Sequence, residues 1–138
     1  MSLKLTILGC HSATPRSLAH TSSQFLELNN DCFLIDCGEG TQRQLRKYKI
    51  KFSKIKHVFI SHLHGDHFYG LPGLLGTMSL LGRTTGIQLY GPPELLEILL
   101  VIFRASETTL TFNFNFIPLE MKTKEVIFED EGMRISIF

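Results

Sequence analysis

The sequence predicts an α/β fold in which a mixed, mostly antiparallel sheet is flanked by helices. Two observations lead to this class: apolar strands come first along the chain, and strands and helices then alternate. Length and composition agree with it. A chain of 138 residues, of which 43% are hydrophobic and 20% charged, suits one globular domain with its own core.

The first third of the chain is predicted to form three antiparallel strands. Residues 3–7 alternate between apolar and polar side chains, and this strand ends at Gly9. Two further strands, residues 24–28 and 32–35, are joined by a polar turn at residues 29–31.

Strands and helices alternate along the rest of the chain. Thr41 is predicted to cap an amphipathic helix with Leu45 and Tyr48 on one side. We predict a strand at residues 56–60, a buried helix at 68–81, a strand at 87–90 and a helix at 94–104. A strand with one buried face at 112–116 and a hairpin at 125–138 follow.

Charge and cysteine content narrow the functional classes. The formal net charge of +1 does not predict a strongly charged partner. Cys10, Cys32 and Cys37 form no CxxC pair, and an odd number of cysteines argues against a secreted, disulfide-bonded protein. The first residues lack a signal-peptide pattern, and the longest apolar run, residues 98–103, is too short to span a membrane. We therefore predict a cytoplasmic protein without a membrane partner.

The stretch ISHLHGDH places three histidines and an aspartate directly after a predicted strand. Alternate residues that leave a strand point the same way, so His62 and His64 can bind one ion. Gly65 is predicted to permit a tight bend that turns Asp66 and His67 toward a second ion. Imidazoles and carboxylates are ligands of zinc. The spacing therefore predicts a site for two neighbouring metal ions.

Two adjacent ions can activate a water molecule and stabilise charge on a phosphoryl or carbonyl oxygen. Asp66 is the predicted catalytic residue, because a carboxylate at the edge of such a site can orient that water or take its proton. Asp36 follows an apolar strand and either hydrogen-bonds a ligand imidazole or serves as a turn carboxylate. His11, His20 and His57 lack this spacing and are expected to be ordinary polar residues.

Four ligands from one loop cannot complete two ions, because each ion needs about three protein ligands. No histidine follows His67, and the later acidic residues fit helix faces and turns. We therefore expect residues 1–138 to provide half of a site and to end before the remaining ligands.

Three motifs carry a family resemblance. The HxHxDH pattern of the metallo-β-lactamase superfamily is met in full by the histidine cluster, and LGCHSATP at residues 8–15 matches a typical opening strand and loop more loosely. FLIDCGEGTQRQL at residues 33–45 and ISHLHGDHFYGLPGLL at residues 60–75 are similar to tRNase Z and differ from lactamases and glyoxalases. The chain thus resembles the N-terminal half of tRNase Z, a zinc-dependent endoribonuclease family.

The resemblance implies a metallo-β-lactamase-type fold, with this chain as half of an αββα sandwich. It implies that His62 and His64 bind one zinc ion, that Asp66 and His67 bind the other, and that Asp66 is the general base. Two zinc ions per subunit are implied for the whole family, and fewer are expected in this chain. A homodimer is implied, with precursor tRNA cut after the discriminator base to leave a 3′-hydroxyl.

Seven basic residues lie between Arg43 and Lys56. They either contact an RNA backbone, for which Arg43, Arg46 and Lys47 are the candidates, or form a solvated surface. The alternating phenylalanines at residues 112–116 fit a core strand better than base stacking. Two other functions stay open: a hydrolase of a small thioester or phosphodiester, and a non-catalytic fragment that binds metal weakly.

Overall fold

A computed structural model describes residues 2–120 and 124–137 of the chain. These residues form eight strands, four α-helices and a short 3₁₀ turn at Phe52–Lys54. The strands are β1 (Leu3–Gly9), β2 (Ser23–Leu28), β3 (Asp31–Ile35), β4 (His57–Phe59), β5 (Ile87–Gly91), β6 (Phe114–Pro118), β7 (Glu125–Glu129) and β8 (Arg134–Ile137). The helices are α1 (Thr41–Lys47), α2 (Gly65–Phe68), α3 (Leu71–Leu80) and α4 (Glu94–Ala105).

The main sheet has six strands in the order β1-β2-β3-β4-β5-β6, and β7 pairs with β8 in a separate hairpin. β2 is antiparallel to both β1 and β3, whereas β3, β4, β5 and β6 are mutually parallel. The prediction of a mostly antiparallel sheet is therefore wrong for the main sheet. Helices connect each strand to the next after β3, and such crossovers return the chain in the same direction. The α/β class with flanking helices is confirmed.

The two faces of the sheet carry different cores. Leu34 and Val58 point to the face covered by the helices, where they join Leu45 of α1 in a large buried cluster. Phe33 and Phe59, their neighbours in sequence, point to the opposite face and pack against the β7–β8 hairpin. Alternation along a strand explains this division. None of the helices in the described ranges is long and apolar enough to cross a membrane.

Two predicted helices differ from the structure in their details. Thr41 is the first residue of α1 rather than its cap, since Gly40 precedes it with φ at 84°. The Thr41 hydroxyl instead donates to the carbonyl oxygen of Gly38 at 2.8 Å. Most of the helix predicted at residues 68–81 is α3, whereas Phe68 ends the preceding α2, and Gly70 lies between the two helices.

The alternating phenylalanines lie against the helix-side core, as the core interpretation predicts. Phe112 is buried there and precedes β6, while Phe114 and Phe116 are partly buried against the same cluster. The predicted terminal hairpin is present as β7 and β8. Phe138, which the prediction included, lies outside the described residues.

His57 lies on the hairpin-side face at the start of β4, and its Nδ1 atom has no hydrogen-bond partner among the described residues. Its ring stacks on Phe33 with centroids 4.7 Å apart and meets the edge of Phe128 at 5.0 Å. Burial lowers the pKa of His57; Asp31 opposes the shift and Lys56 adds to it. The folded chain therefore favours the neutral imidazole.

We expect the free energy of unfolding to fall as the pH drops from about 7.5 to about 5.5, and to fall less in His57→Phe. In the unfolded chain His57 has its ordinary pKa, near 6.5, so it takes up a proton there before it does so in the folded chain. The contribution of neutral His57 to the free energy of unfolding is therefore complete above pH 6.5 and is lost as the pH falls from about 6.5 toward the lower pKa of the folded state. Urea unfolding at each pH measures the difference, and equal losses in both proteins would contradict it.

Candidate active site

The predicted cluster lies where the chain leaves the C-terminal end of β4. Ile60 makes a backbone hydrogen bond from its N–H to the carbonyl of Tyr90 at 2.8 Å. The chain then leaves the sheet, and α2 begins at Gly65. The backbone N–H of His67 donates to the carbonyl of His64 at 2.9 Å, which closes the first turn of α2 and brings these two residues together.

The structure brings the four predicted ligands into one group. The ring centroid of His62 lies 3.8 Å from that of His67 and 4.8 Å from that of His64. His67 Nε2 is 3.4 Å from Asp66 Oδ2, and the two side chains are 21% and 16% exposed. The group is thus packed together and still reachable from solvent.

Asp36 lies behind the cluster as a buried hydrogen-bond acceptor. Its carboxylate accepts from the Ser61 N–H at 2.8 Å and from the hydroxyls of Ser61 and Ser22 at 3.0 and 3.1 Å. His67 Nδ1 lies 2.6 Å from Asp36 Oδ2. With the Asp36 carboxylate as acceptor, Nδ1 is the donor, and Nε2 is the ring nitrogen that faces Asp66.

The loop after β3 holds α2 in place through its backbone. The N–H of Cys37 donates to the His67 carbonyl at 2.7 Å, and the Cys37 carbonyl accepts from Gly70 at 2.9 Å. A Cβ atom on Gly70 would lie 2.2 Å from the carbonyl oxygen of Gly38, so this close approach requires glycine. Burial raises the pKa of the Cys37 thiol to about 12, which keeps it protonated and unsuited to metal binding.

Gly65 has a different role from the predicted one. Its φ is not positive, so the turn does not need the freedom of glycine. A Cβ atom on Gly65 would instead lie 2.2 Å from the ring of Tyr69. The absence of a side chain therefore makes room for an aromatic ring beside the cluster.

Three residues at the cluster or in the loops near it were not selected by sequence reasoning. Ser61 Oγ lies 3.1 Å from His62 Nδ1, and its position next to His62 in sequence was an available signal. Ser22 reaches Asp36 from 14 residues away, for which the sequence offers no signal. His20 Nδ1 lies beside Gly40, in the loop that precedes α1.

The side chains of the cluster are of the chemical types that bind zinc, but they do not complete a metal site by themselves. Across residues 2–120 and 124–137, no group of three or more His, Cys, Asp or Glu side chains is placed to hold a metal ion. The structure therefore gathers the predicted ligands without forming a complete metal site from the described part of the chain.

A family model described as anti-Pycsar protein Apyc1 matches residues 3–138. The chain belongs to this family. A curated relative of this Apyc1-family chain is ribonuclease Z of Bacteroides fragilis, which is 43% identical over 133 residues. That match covers 96% of the chain and 44% of the relative, so the chain spans less than half of the length of this protein.

Solved structures agree with the sequence relatives. The short form of human tRNase Z has a TM-score of 0.82 and 35% identity, covering 96% of the Apyc1-family chain and 58% of the human chain. The metallo-β-lactamase fold protein YhfI from Bacillus subtilis has a TM-score of 0.68 and 23% identity, covering 89% and 47%, and shows the fold alone. The resemblance to tRNase Z and the metallo-β-lactamase fold are thus confirmed.

Three basic residues of this Apyc1-family chain lie on α1, which begins beside the cluster and runs away from it. Arg43 is exposed in the first turn, and Lys47 ends the helix. The guanidinium of Arg46 lies 5.1 Å from the ring centroid of Phe52. Arg43 is therefore the basic residue of α1 nearest to the start of the helix and to the cluster.

Proposed function

We propose that this chain carries one side of the active centre of a zinc-dependent endoribonuclease that removes the 3′ trailer of precursor tRNA. The observation that carries the proposal is the gathered cluster of His62, His64, Asp66 and His67, with Asp36 bonded to His67 from behind. Similarity to ribonuclease Z and to human tRNase Z supports the choice of substrate.

The residues of the cluster have separate roles in this proposal. Zinc in such centres stabilises charge on a phosphoryl oxygen and lowers the pKa of water. In this proposal, His62 and His64 would hold one ion, and Asp66 and His67 would hold the other. Asp66 also orients the attacking water or takes its proton. Asp36 fixes the His67 ring, so that Nε2 stays available beside Asp66.

The remaining ligands come, in this proposal, from residues outside the described part of the chain. Two observations support this: the described residues form no three-ligand group, and the curated relative is more than twice as long as the matched region. A cavity of about 550 Å³ also lies between the sheet and the hairpin, and Ser61, next to the cluster, lines it. This face therefore has room for further side chains beside the cluster. We propose that residues 1–138 are the N-terminal half of a larger metallo-β-lactamase domain.

The zinc content of two proteins tests this half-site proposal. We expect the 138-residue chain to retain less than one zinc ion per chain and not to cleave precursor tRNA. We expect a protein extended to the length of its relatives to bind about two ions and to cleave. Mass spectrometry of the metal and a gel-based cleavage assay measure both. Turnover by the short chain at the rate of the long one would contradict the ligand count.

Two alternatives keep the fold but change the function. The description of the family names an anti-Pycsar protein and not a ribonuclease, so a hydrolase of a small thioester or phosphodiester stays the second candidate. The lack of a three-ligand group among the described residues favours a non-catalytic fragment that binds metal weakly. Turnover of small substrates and metal content separate these functions from the leading one.

The proposal extends to partners and location. We expect the extended protein to be a cytoplasmic homodimer. Arg43, Arg46 and Lys47 are proposed to contact the RNA backbone: Arg43 is exposed in the first turn of α1, beside the cluster, and Arg46 and Lys47 are exposed in its last turn, farther from the cluster.

A further inference from the structure

A cavity of about 500 Å³ lies at the end of the strands opposite to the end that carries the histidine cluster. Its lining comes from Arg46 and residues 49–53, which precede β4, and from Met78, residues 81–83 and Thr85, which precede β5. β4 and β5 are parallel, and the cluster follows the C-terminal end of β4. The cavity therefore lies at the N-terminal ends of these strands and is separate from the candidate active site.

The lining of this cavity, which we call the basic cavity, contains four cations and no carboxylate. They are Arg46, Lys49, Lys51 and Arg83. Among the ion pairs that the described residues form, none involves any of these four. By contrast, Lys54, which belongs to the same basic stretch between Arg43 and Lys56, pairs with Glu27 at 3.7 Å. Arg46, Lys49 and Lys51 of this stretch thus line the cavity together with Arg83 and without a carboxylate partner among the described residues.

The helix ends at the cavity do not cancel this charge. α1 and α3 both end there, and each C-terminus contributes about −0.5 of an elementary charge. Four formal positive charges then leave the cavity at about +3. Its wall also has an apolar part, in which Phe52 and Met78 are buried beside Ile50. A ligand with an anionic group and an organic body matches both parts.

Arg83 holds the two sides of the basic cavity together. Its guanidinium donates to the carbonyl of Phe52 at 3.4 Å and to those of Thr85 and Gly86 at 2.8 and 3.1 Å. These bonds join the segment before β4 to the segment before β5. The cavity is therefore held in shape before any ligand binds, which lowers the entropic cost of binding.

Lys49 has an unusual backbone conformation at the cavity. Its φ is 57°, in the left-handed region where glycine is favoured. The N–H of Ile50 bonds the Leu45 carbonyl at 2.9 Å, so Lys49 occupies the position that Gly82 occupies at the end of α3. Lys49 lines the cavity. Its left-handed backbone conformation is less favourable for lysine than for glycine.

The geometry points to a binding site for an organic phosphate of mononucleotide size in the basic cavity. The volume lies in the range of small-molecule sites, roughly 300 to 1,000 Å³. A phosphomonoester carries up to two negative charges, which lysine and arginine bind through charge-assisted hydrogen bonds. Arg46, Lys49 and Lys51 would contact the phosphate, and the apolar wall would contact the organic body. This site goes beyond the proposed nuclease function and does not depend on it.

Calorimetric titration of the 138-residue chain with AMP, adenosine and inorganic phosphate tests the site. We expect AMP to bind, inorganic phosphate to bind more weakly, and adenosine not to bind. Lys49→Gly should weaken AMP binding by about tenfold or more, the size expected from one charge-assisted hydrogen bond. The backbone should tolerate this change, because glycine favours the left-handed conformation. Lys51→Gln should weaken binding to a similar degree and serves if Lys49→Gly fails to fold.

Three matched variants separate the loss of a cavity contact from changes in backbone, net charge or the histidine cluster. Glu107→Gly replaces another left-handed residue, with φ at 53°, at the end of α4 and away from the cavity. Lys47→Gln removes one positive charge from α1 outside the cavity lining. Asp66→Asn alters the histidine cluster. All three should keep AMP affinity within about twofold of the parent. Absence of AMP binding, an equal loss in Lys47→Gln, or binding of tRNA without binding of AMP would overturn the assignment.

Discussion

Asp66→Asn is expected to reduce the single-turnover cleavage of precursor tRNA by about a thousandfold in the protein extended to the length of its relatives. Asp66 Oδ2 lies 3.4 Å from His67 Nε2, at the centre of the gathered cluster. The amide keeps the shape of the side chain but cannot accept a proton from water. The rate constant is measured with enzyme in excess over labelled precursor, so that product release does not limit it.

The matched control for this experiment is His20→Ala. His20 lies in the loop beside Gly40 rather than within the cluster, so its loss should reduce cleavage by less than about tenfold. Near-UV circular dichroism shows whether each variant keeps its tertiary structure. If both substitutions reduced the rate equally, the general-base role of Asp66 would be wrong.

Asp36→Ala is expected to lower the free energy of unfolding by about 3 to 5 kcal/mol. The substitution removes the acceptor of Ser22, Ser61 and His67 at a position that is 4% exposed. A buried donor that loses its acceptor destabilises the folded state by the full free-energy cost of its desolvation. Alanine also has to adopt the left-handed φ of 59° that aspartate tolerates here. Urea unfolding of the 138-residue chain measures the change.

Asp31→Ala is the control for Asp36→Ala. Asp31 also belongs to the segment around β3, but its carboxylate pairs with Lys56 at 3.3 Å in a solvent-accessible position. Such surface pairs contribute about 0 to 1 kcal/mol, so this variant should be much less destabilised. A loss in Asp36→Ala no larger than that in Asp31→Ala would show that the hydrogen bonds to Asp36 do not stabilise the fold.

Local patterns were sufficient to predict most elements of the fold. The alternation of apolar residues predicts β1, and two apolar segments joined by a polar turn predict β2 and β3; that turn contains Asn29 with φ at 54°. Strand direction was harder to predict. Val58 and Phe59 face opposite cores whether their neighbours run parallel or antiparallel, so local pattern cannot distinguish the two. The crossover connections decide the direction, and they depend on how whole helices pack.

The candidate site was predictable only where its residues are close in sequence. His62 and His67 are five residues apart, and their ring centroids meet at 3.8 Å. The hydrogen bond from Ser22 to Asp36 depends on the pairing of β2 and β3 and on the loops that follow, which spacing along the chain does not encode. The basic cavity joins residues 49–53 to residues 81–83 in the same long-range way.

The products formed from precursor tRNA by the extended protein test the central claim most directly. We predict a single cut after the discriminator base, a 3′-hydroxyl on the tRNA product, and a higher kcat/KM for precursor tRNA than for bis(p-nitrophenyl) phosphate or a small thioester. Mapping both ends of the products at nucleotide resolution shows the position and chemistry of the cut. Intact precursor tRNA, together with hydrolysis of a small substrate that Asp66→Asn abolishes, would contradict the claim and assign the cluster to the second candidate function.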